Sequence, residues 1–253
     1  MNVIELYQFL SEKIPPSLSC DWDHDGLAVC GNKEAQVTGV LCVLDVTEEA
    51  LDLAKAKGYN VILAHHPLLF RPLSSLTGAT PVERLAMRCL LEGVSVMSFH
   101  TRADAVEGGT NTCLIHALSL IPVELEGEAL IYRMGKLPTP MSADDFAKHV
   151  GSKLGAKALR YADGGKMIET VLVCGGGGRE FASLAKKYNA DAYVSGELGH
   201  HVLCDAPALG ISYFEAGHYE TEIPLLAFFS ELVGQADQNI PVEVSFITPL
   251  CSL

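Results

Sequence analysis

The stretch VTGVLCVLDVTEEALDLAKAKGYNVILAHHPLLF, residues 37–70, decides the fold. Residues 37–45 form a nearly continuous apolar run, which reads as a strand buried on both faces. Thr47 then stands as an N-cap, with Glu48 and Glu49 in the first turn at the positive end of the helix dipole. The helix they open ends at Gly58, and residues 60–64, NVILA, form a second strand. Strand, helix, strand at this spacing predicts parallel neighbours in an α/β sheet. Outward from this unit, residues 80–92 predict a helix, 93–99 (GVSVMSF) a strand, and a further helix starts near Gly109. Towards the start, residues 2–13 predict a helix stopped by Pro15-Pro16.

From about residue 121 the pattern changes. IPVELEGEALIYRMGKLP, residues 121–138, reads as two extended pieces joined by a turn. Ser142 and Asp145 are spaced as a capping box for a helix over 142–154. A strand at 168–174, a glycine run, a helix at 179–188, a strand at 190–194 and a helix at 197–205 follow. The last helix, 219–234, and a strand at 242–247 return to the first unit. No internal repeat of fixed period is present. The predicted fold class is α/β, with two α/β units whose mixed sheets are flanked by helices. One unit takes residues 1–125 plus 215–253 and the other 126–214.

The 253 residues suffice to bury a core without staples. The net charge of −13 and the lack of any Lys/Arg block argue against nucleic acid as a partner. Eight cysteines include no C-x-x-C pair, and Cys42 and Cys174 sit in apolar runs as small buried thiols. The first residues, MNVIELYQFLSEKIPP, have no signal-peptide pattern, and no run of 18 apolar residues predicts a membrane span. A reducing, cytoplasmic location is expected.

The strongest chemical signal is histidine beside acid at strand ends. His65 and His66 lie just past VILA, at the C-terminal edge where open α/β sheets place ligands. Adjacent side chains on extended backbone diverge, so two neighbouring ions, one per imidazole, suit this pair better than one. Two polar residues closing a strand before Pro67 is the alternative. His100 and Asp104 follow GVSVMSF; if the two strands are neighbours, they lie near His65 and His66. The competing role for Asp104 is to cap the next helix. His218 and Glu222, in FEAGHYETE, are four apart and share one helical face, a workable metal pair. A surface helix start with Glu220 and Glu222 facing its dipole is the alternative. Imidazoles with carboxylates suit Zn, Fe or Mn better than Mg or Ca.

Two more segments carry polar chemistry. GELGHH offers Glu197, His200 and His201 in a Glu-x-x-His arrangement, but the di-metal bundles that use it need a second copy, and there is none. A pocket wall or support for other ligands is the other reading. CGGGGRE, with Gly175 to Gly178, opens a helix after a strand and offers amides to a phosphate. It matches neither G-x-G-x-x-G nor a P-loop, and tight turning explains the glycines equally. No G-x-S-x-G elbow supports a serine hydrolase.

Taken together, DWDHDGLAVCG (21–31), HHP (65–67), HTRADAVEGGTN (100–111), CGGGG (174–178), DAYVSGELGHH (191–201) and AGHYETE (216–222) resemble the YbgI-like (Nif-three) family. These are dinuclear-metal proteins labelled type-2 GTP cyclohydrolase I homologues. The resemblance spans nearly the whole chain. It implies a YbgI-like fold, a toroidal homohexamer and a two-metal site facing the ring interior. Carried over by motif, the metal ligands are His65, His66, Asp104, His218 and Glu222. His66 and Asp104 would hold one ion, His65 and His218 the other, and Glu222 would bridge. His100 would be a near-site residue. The sequence departs from the family pattern at His24, where an Asn usually stands, and has no room for the extra domain some relatives carry.

The resulting expectation is a metal-dependent hydrolase with two divalent ions (Zn, Fe or Mn) per subunit. It would act on a nucleotide or other phosphate-containing small molecule through metal-bound hydroxide, by cyclohydrolase, phosphodiesterase or phosphatase chemistry. The alternative from another class is a non-catalytic metal-binding regulatory or scaffold hexamer. Open coordination positions distinguish the first from the second.

Overall fold

The computed structural model describes residues 1–125 and 131–248. The chain runs α1 (Val3–Lys13), β1 (Gly26–Val29), β2 (Val40–Val43), α2 (Glu48–Lys57), β3 (Val61–Ala64), α3 (Pro81–Leu91), β4 (Ser95–Ser98) and α4 (Thr101–Ala105). It continues through α5 (Thr110–Ala117), β5 (Ile121–Val123), β6 (Arg133–Met141), α6 (Ala143–Leu154), β7 (Arg160–Ala162), β8 (Ile168–Cys174), α7 (Leu184–Lys187) and β9 (Ala192–Ser195). It ends with α8 (His200–Cys204), α9 (Ala206–Leu209), β10 (Ser212–Glu215), α10 (His218–Glu222), α11 (Leu225–Ala236) and β11 (Val242–Val244). Packing divides it into Met1–Val106 with the segment from Leu226, and Glu107–Leu225. The sequence reading placed these junctions at 125/126 and 214/215. The first junction falls earlier because α5 packs on β6 and β8 and β5 pairs with β6.

In the first unit the sheet order is β1-β4-β3-β2-β11. The pairs β2–β3, β3–β4 and β2–β11 are parallel, and β1 lies antiparallel on β4. Both sheet faces are apolar, as the unbroken hydrophobic runs predict: Leu41, Val43, Ile62, Ala64 and Val96 pack with α2 and α3 residues, while Val40, Cys42, Leu63 and Met97 on the alternate positions are also buried. The α2 caps are as read: Thr47 Oγ1 accepts from Ala50 N at 3.1 Å, and Gly58 takes the left-handed cap at φ 73°. Burial pushes the Cys42 thiol up to about 12, as befits an unreactive core cysteine.

In the second unit the order is β5-β6-β8-β9-β10-β7, with β8, β9 and β10 parallel and the outer pairs antiparallel. Val171 and Val173 of β8 enter one core with Phe146 and Val150 of α6, and Leu172 and Cys174 enter another with Tyr193 and Tyr213. That alternation is the period-two strand geometry serving two covered faces.

Several sequence expectations are corrected. The single helix over 219–234 is broken into α10 and α11, because Pro224 supplies no amide to continue it. The helix over 179–188 is a 3-10 turn, Arg179–Phe181, followed by α7. The 142–154 capping box is half made: Ser142 Oγ accepts from Asp145 N at 3.2 Å, while the Asp145 carboxylate turns to the Ser142 hydroxyl. The turn expected between the two extended pieces after residue 121 falls at 126–130, outside the described residues. Strand β1 and helix α4 were not anticipated.

Helix α4 is held by a buried ion pair. Arg102 is 1% exposed; its Nε donates to Asp25 Oδ2 at 2.8 Å, its Nη1 donates to Ile14 O at 3.2 Å, and its guanidinium lies over the Phe99 ring. Asp25 also accepts from His100 N at 2.9 Å. Removing one partner of such a pair strands a buried charge, so Asp25→Ala is expected to cost about 3–5 kcal/mol. Asp25→Ala with Arg102→Met should recover most of it. Urea denaturation checks both, and a single-variant loss under about 1 kcal/mol would contradict the assignment.

Candidate metal centre

The parallel ladder of the first unit fixes where its histidines stand. Leu63 pairs with Met97 and Ala64 with Ser98, so the residues that follow β3 and β4 emerge side by side. His65 N and His66 N continue the ladder to Val43 O and Leu44 O at 3.1 and 2.9 Å, and Phe99 N reaches Ala64 O at 3.0 Å. The strands are therefore neighbours, and His100 lies near His65 and His66. One ring nitrogen of each of these three histidines lies within 4.8 Å of the others.

Each imidazole is oriented through Nδ1. His65 is fully buried and its Nδ1 faces Phe99 O at 3.0 Å. A carbonyl only accepts, so Nδ1 carries the hydrogen and Nε2 is turned to Asp104, whose Oδ1 lies 3.6 Å away. His66 Nδ1 faces Asp45 Oδ1 at 2.9 Å. His100 Nδ1 faces both Asp23 oxygens at 3.1 Å. Imidazoles pinned at Nδ1 by a carbonyl or carboxylate, with Nε2 presented, are what metal-binding histidines use. The donor set fits a borderline divalent cation. Asp104 lies within α4, whose N-cap is His100, and the N-cap of α5 is Gly109.

The second unit holds the other expected pair. His218 and Glu222 open and close α10, with His218 Nε2 at 3.2 Å from Glu222 Oε1. His218 Nδ1 faces Glu197 Oε1 at 3.0 Å, the same orienting pattern. Gly176, at φ 60°, brings its backbone against this pair: a Cβ there would collide with the Glu222 carboxylate and stand 3.0 Å from His218 Nε2. That approach, together with the turn, explains a glycine here.

The remaining candidates fall into place. Glu197 precedes α8 and serves His218; His200 Nε2 instead lies 3.4 Å from Cys204 Sγ, so Glu197, His200 and His201 form no Glu-x-x-His donor face. In the glycine run, Gly175 N donates to Asn111, Gly176 N to Thr221 and Gly178 N to Ser195, at 2.9, 3.0 and 3.0 Å. Those three amides are engaged by side chains of α5, α10 and β9. His24 is exposed, and only its backbone N–H meets Asp23. Sequence reading missed Asp23 and Asp45. Asp45 could have been found as the acid closing VLCVLD, on the same row of strand ends as His66.

Asp23 ties the site to the fold. Its carboxylate accepts from Thr101 N at 3.0 Å and Thr101 Oγ1 at 2.6 Å besides His100. Burial pushes its pKa up, but hydrogen bonds from His100 and Thr101 outweigh burial and hold the carboxyl well below the usual carboxylate range. A lowered carboxylate stabilises the fold above its ordinary value of 3.8 and loses that contribution as pH falls through the lowered one. Asp23→Ala is expected to cost about 2 kcal/mol near neutral pH. The gap to wild type should hold above about pH 5 and close progressively in stronger acid, read by denaturant titration at several pH values.

The family description Duf34/NIF3 (NGG1p interacting factor 3) matches residues 1–249. A Clostridium perfringens protein named GTP cyclohydrolase 1 type 2 homolog is 32% identical over 254 residues, covering 98% of this chain and 95% of that protein. A hypothetical protein of Staphylococcus aureus has the same fold at a TM-score of 0.90 and 24% identity, covering 100% and 99% of the two chains. The protein ybgI, described as of unknown function, does so at 0.87 and 24%, covering 99% and 100%.

Proposed function

The chain belongs to the Duf34/NIF3 family, and from that premise we propose that it is a dinuclear metal-dependent hydrolase of a nucleotide or other phosphate-containing small molecule. The proposed ligands are those the motif resemblance assigns: His66 and Asp104 for one divalent ion, His65 and His218 for the other, and Glu222 bridging. The observation that carries this reading is the shared orientation of the imidazoles, each with Nδ1 facing an acceptor. Zn, Fe or Mn suits such donors. Bound there, the ions supply Lewis acidity to a phosphoryl or carbonyl oxygen and activate water near neutral pH. Asp45 and Glu197 orient His66 and His218 through their carboxylates, and Phe99 O does so for His65. His100, held by Asp23, takes or gives a proton at Nε2 beside this donor set. A cytoplasmic homohexamer is the assembly that goes with this reading.

Among the described residues, no helix is long and apolar enough to cross a membrane.

Elemental analysis of purified protein should find about two equivalents of transition metal, and His65→Ala and Glu222→Ala should lose at least one. Asp45→Asn and Glu197→Gln should weaken metal binding about 10–100-fold while leaving the fold intact. Metal-restored wild type should turn over a member of a phosphoester and nucleotide panel, and His66→Ala and Glu222→Ala should abolish it. Full turnover in both variants would refute the assignment. Metal retention with no turnover of any panel member would favour the scaffold.

A further inference from the structure

Beside the donor cluster of the first unit, two large aromatic side chains stand in solvent. Trp22 is 56% exposed and Phe70 47% exposed. Their rings meet edge to face at 6.1 Å, and each meets the His100 ring edge-on, at 6.1 Å for Trp22 and 6.2 Å for Phe70. His100 in turn lies 5.2 Å from the His65 ring and 5.7 Å from the His66 ring. The three rings thus form a fixed step leading from solvent to the imidazoles.

Local anchoring holds that step in place. Trp22 precedes Asp23, whose carboxylate is tied to Thr101 and His100. Phe70 follows His66 by four residues, past Pro67. Aromatic rings left in water forgo most of their burial gain, so a pair held open beside a donor cluster is a surface prepared for a flat apolar partner. Stacking is also insensitive to charge. With a net charge of −13, the chain's overall field does not attract an anionic ligand, and ring contact supplies affinity the field does not.

We propose that Trp22 and Phe70 seat a planar aromatic or heteroaromatic ring, and that the ligand of the centre carries one. This rests on the reading of His65, His66 and Asp104 as metal ligands and narrows its substrate class. A phosphate ester without a ring would reach the ions but gain nothing from the aromatic step.

Trp22 is the chain's only tryptophan, so its emission reports this surface directly. Adenosine and guanosine monophosphates serve as ring-bearing probes and ribose 5-phosphate as the ringless one, each titrated into full-length protein with and without manganese. The ring-bearing probes should change Trp22 emission saturably, and ribose 5-phosphate should not. Phe70→Ala should weaken ring-probe binding at least about tenfold and leave ribose 5-phosphate binding unchanged. Trp22→Leu, followed by calorimetry, should do the same. Equal binding of both probe classes, or no effect of Phe70→Ala, overturns the proposal. So does emission that follows protein concentration instead of probe, since a second copy would then cover the rings. Metal analysis of the same samples separates the two readings. Metal bound without ring preference defeats this inference alone, and ring preference without metal defeats the metal centre alone.

Discussion

The parallel register of β3 on β4 is the constraint from which the rest of the first unit's chemistry follows. Ladder pairing leaves no freedom in where the next residue emerges: with Ala64 opposite Ser98, His65 and Phe99 must come out together. The hydrogen bond between His65 Nδ1 and Phe99 O then sets both the tautomer and the direction of a fully buried imidazole. A one-residue slip would send His65 to the opposite side of the sheet. The imidazole positions are thus as rigid as the hydrophobic core that fixes the register.

The turn after β4 shows how the same residues serve stability and chemistry. Asp25 neutralises buried Arg102 and accepts from the His100 amide, while Asp23 accepts from the His100 ring and from Thr101. Both acids come from one short segment ahead of β1, and both grip the start of α4, the helix that carries Asp104. Burying this much charge is unfavourable unless every group is matched. The matching positions the carboxylate and the imidazole together. In the second unit, the glycine run performs the corresponding task with no charge: its amides are spent on Asn111, Thr221 and Ser195, and Gly176 makes room for Glu222 beside His218.

An acidic chain suits such a donor arrangement. A net charge of −13 raises the local concentration of divalent cations and lowers that of free anions. On the proposed reading, recognition of an anionic substrate would come from bound cations and from contacts indifferent to charge, such as the Trp22 and Phe70 rings.

The sequence alone determined the α/β class, the buried strands, the caps at Thr47 and Gly58, and the strand-end histidines, because periodicity, capping and apolar runs are local properties. His218 and Glu222 were legible as a pair for the same reason, since four residues span one helical turn. It did not reveal Asp23, Asp45 or the service of Glu197 to His218, because an acid's partner is set by which strands become neighbours. Nor did it reveal the break at Pro224 or the short α4, whose five residues give too little periodicity to register. Only the tertiary structure decided that Glu197 meets His218 and that the amides of Gly175, Gly176 and Gly178 are already engaged. Those outcomes depend on contacts between segments far apart in the chain, and pairing of that kind is fixed by the packed core and the ladder register, which no local pattern encodes.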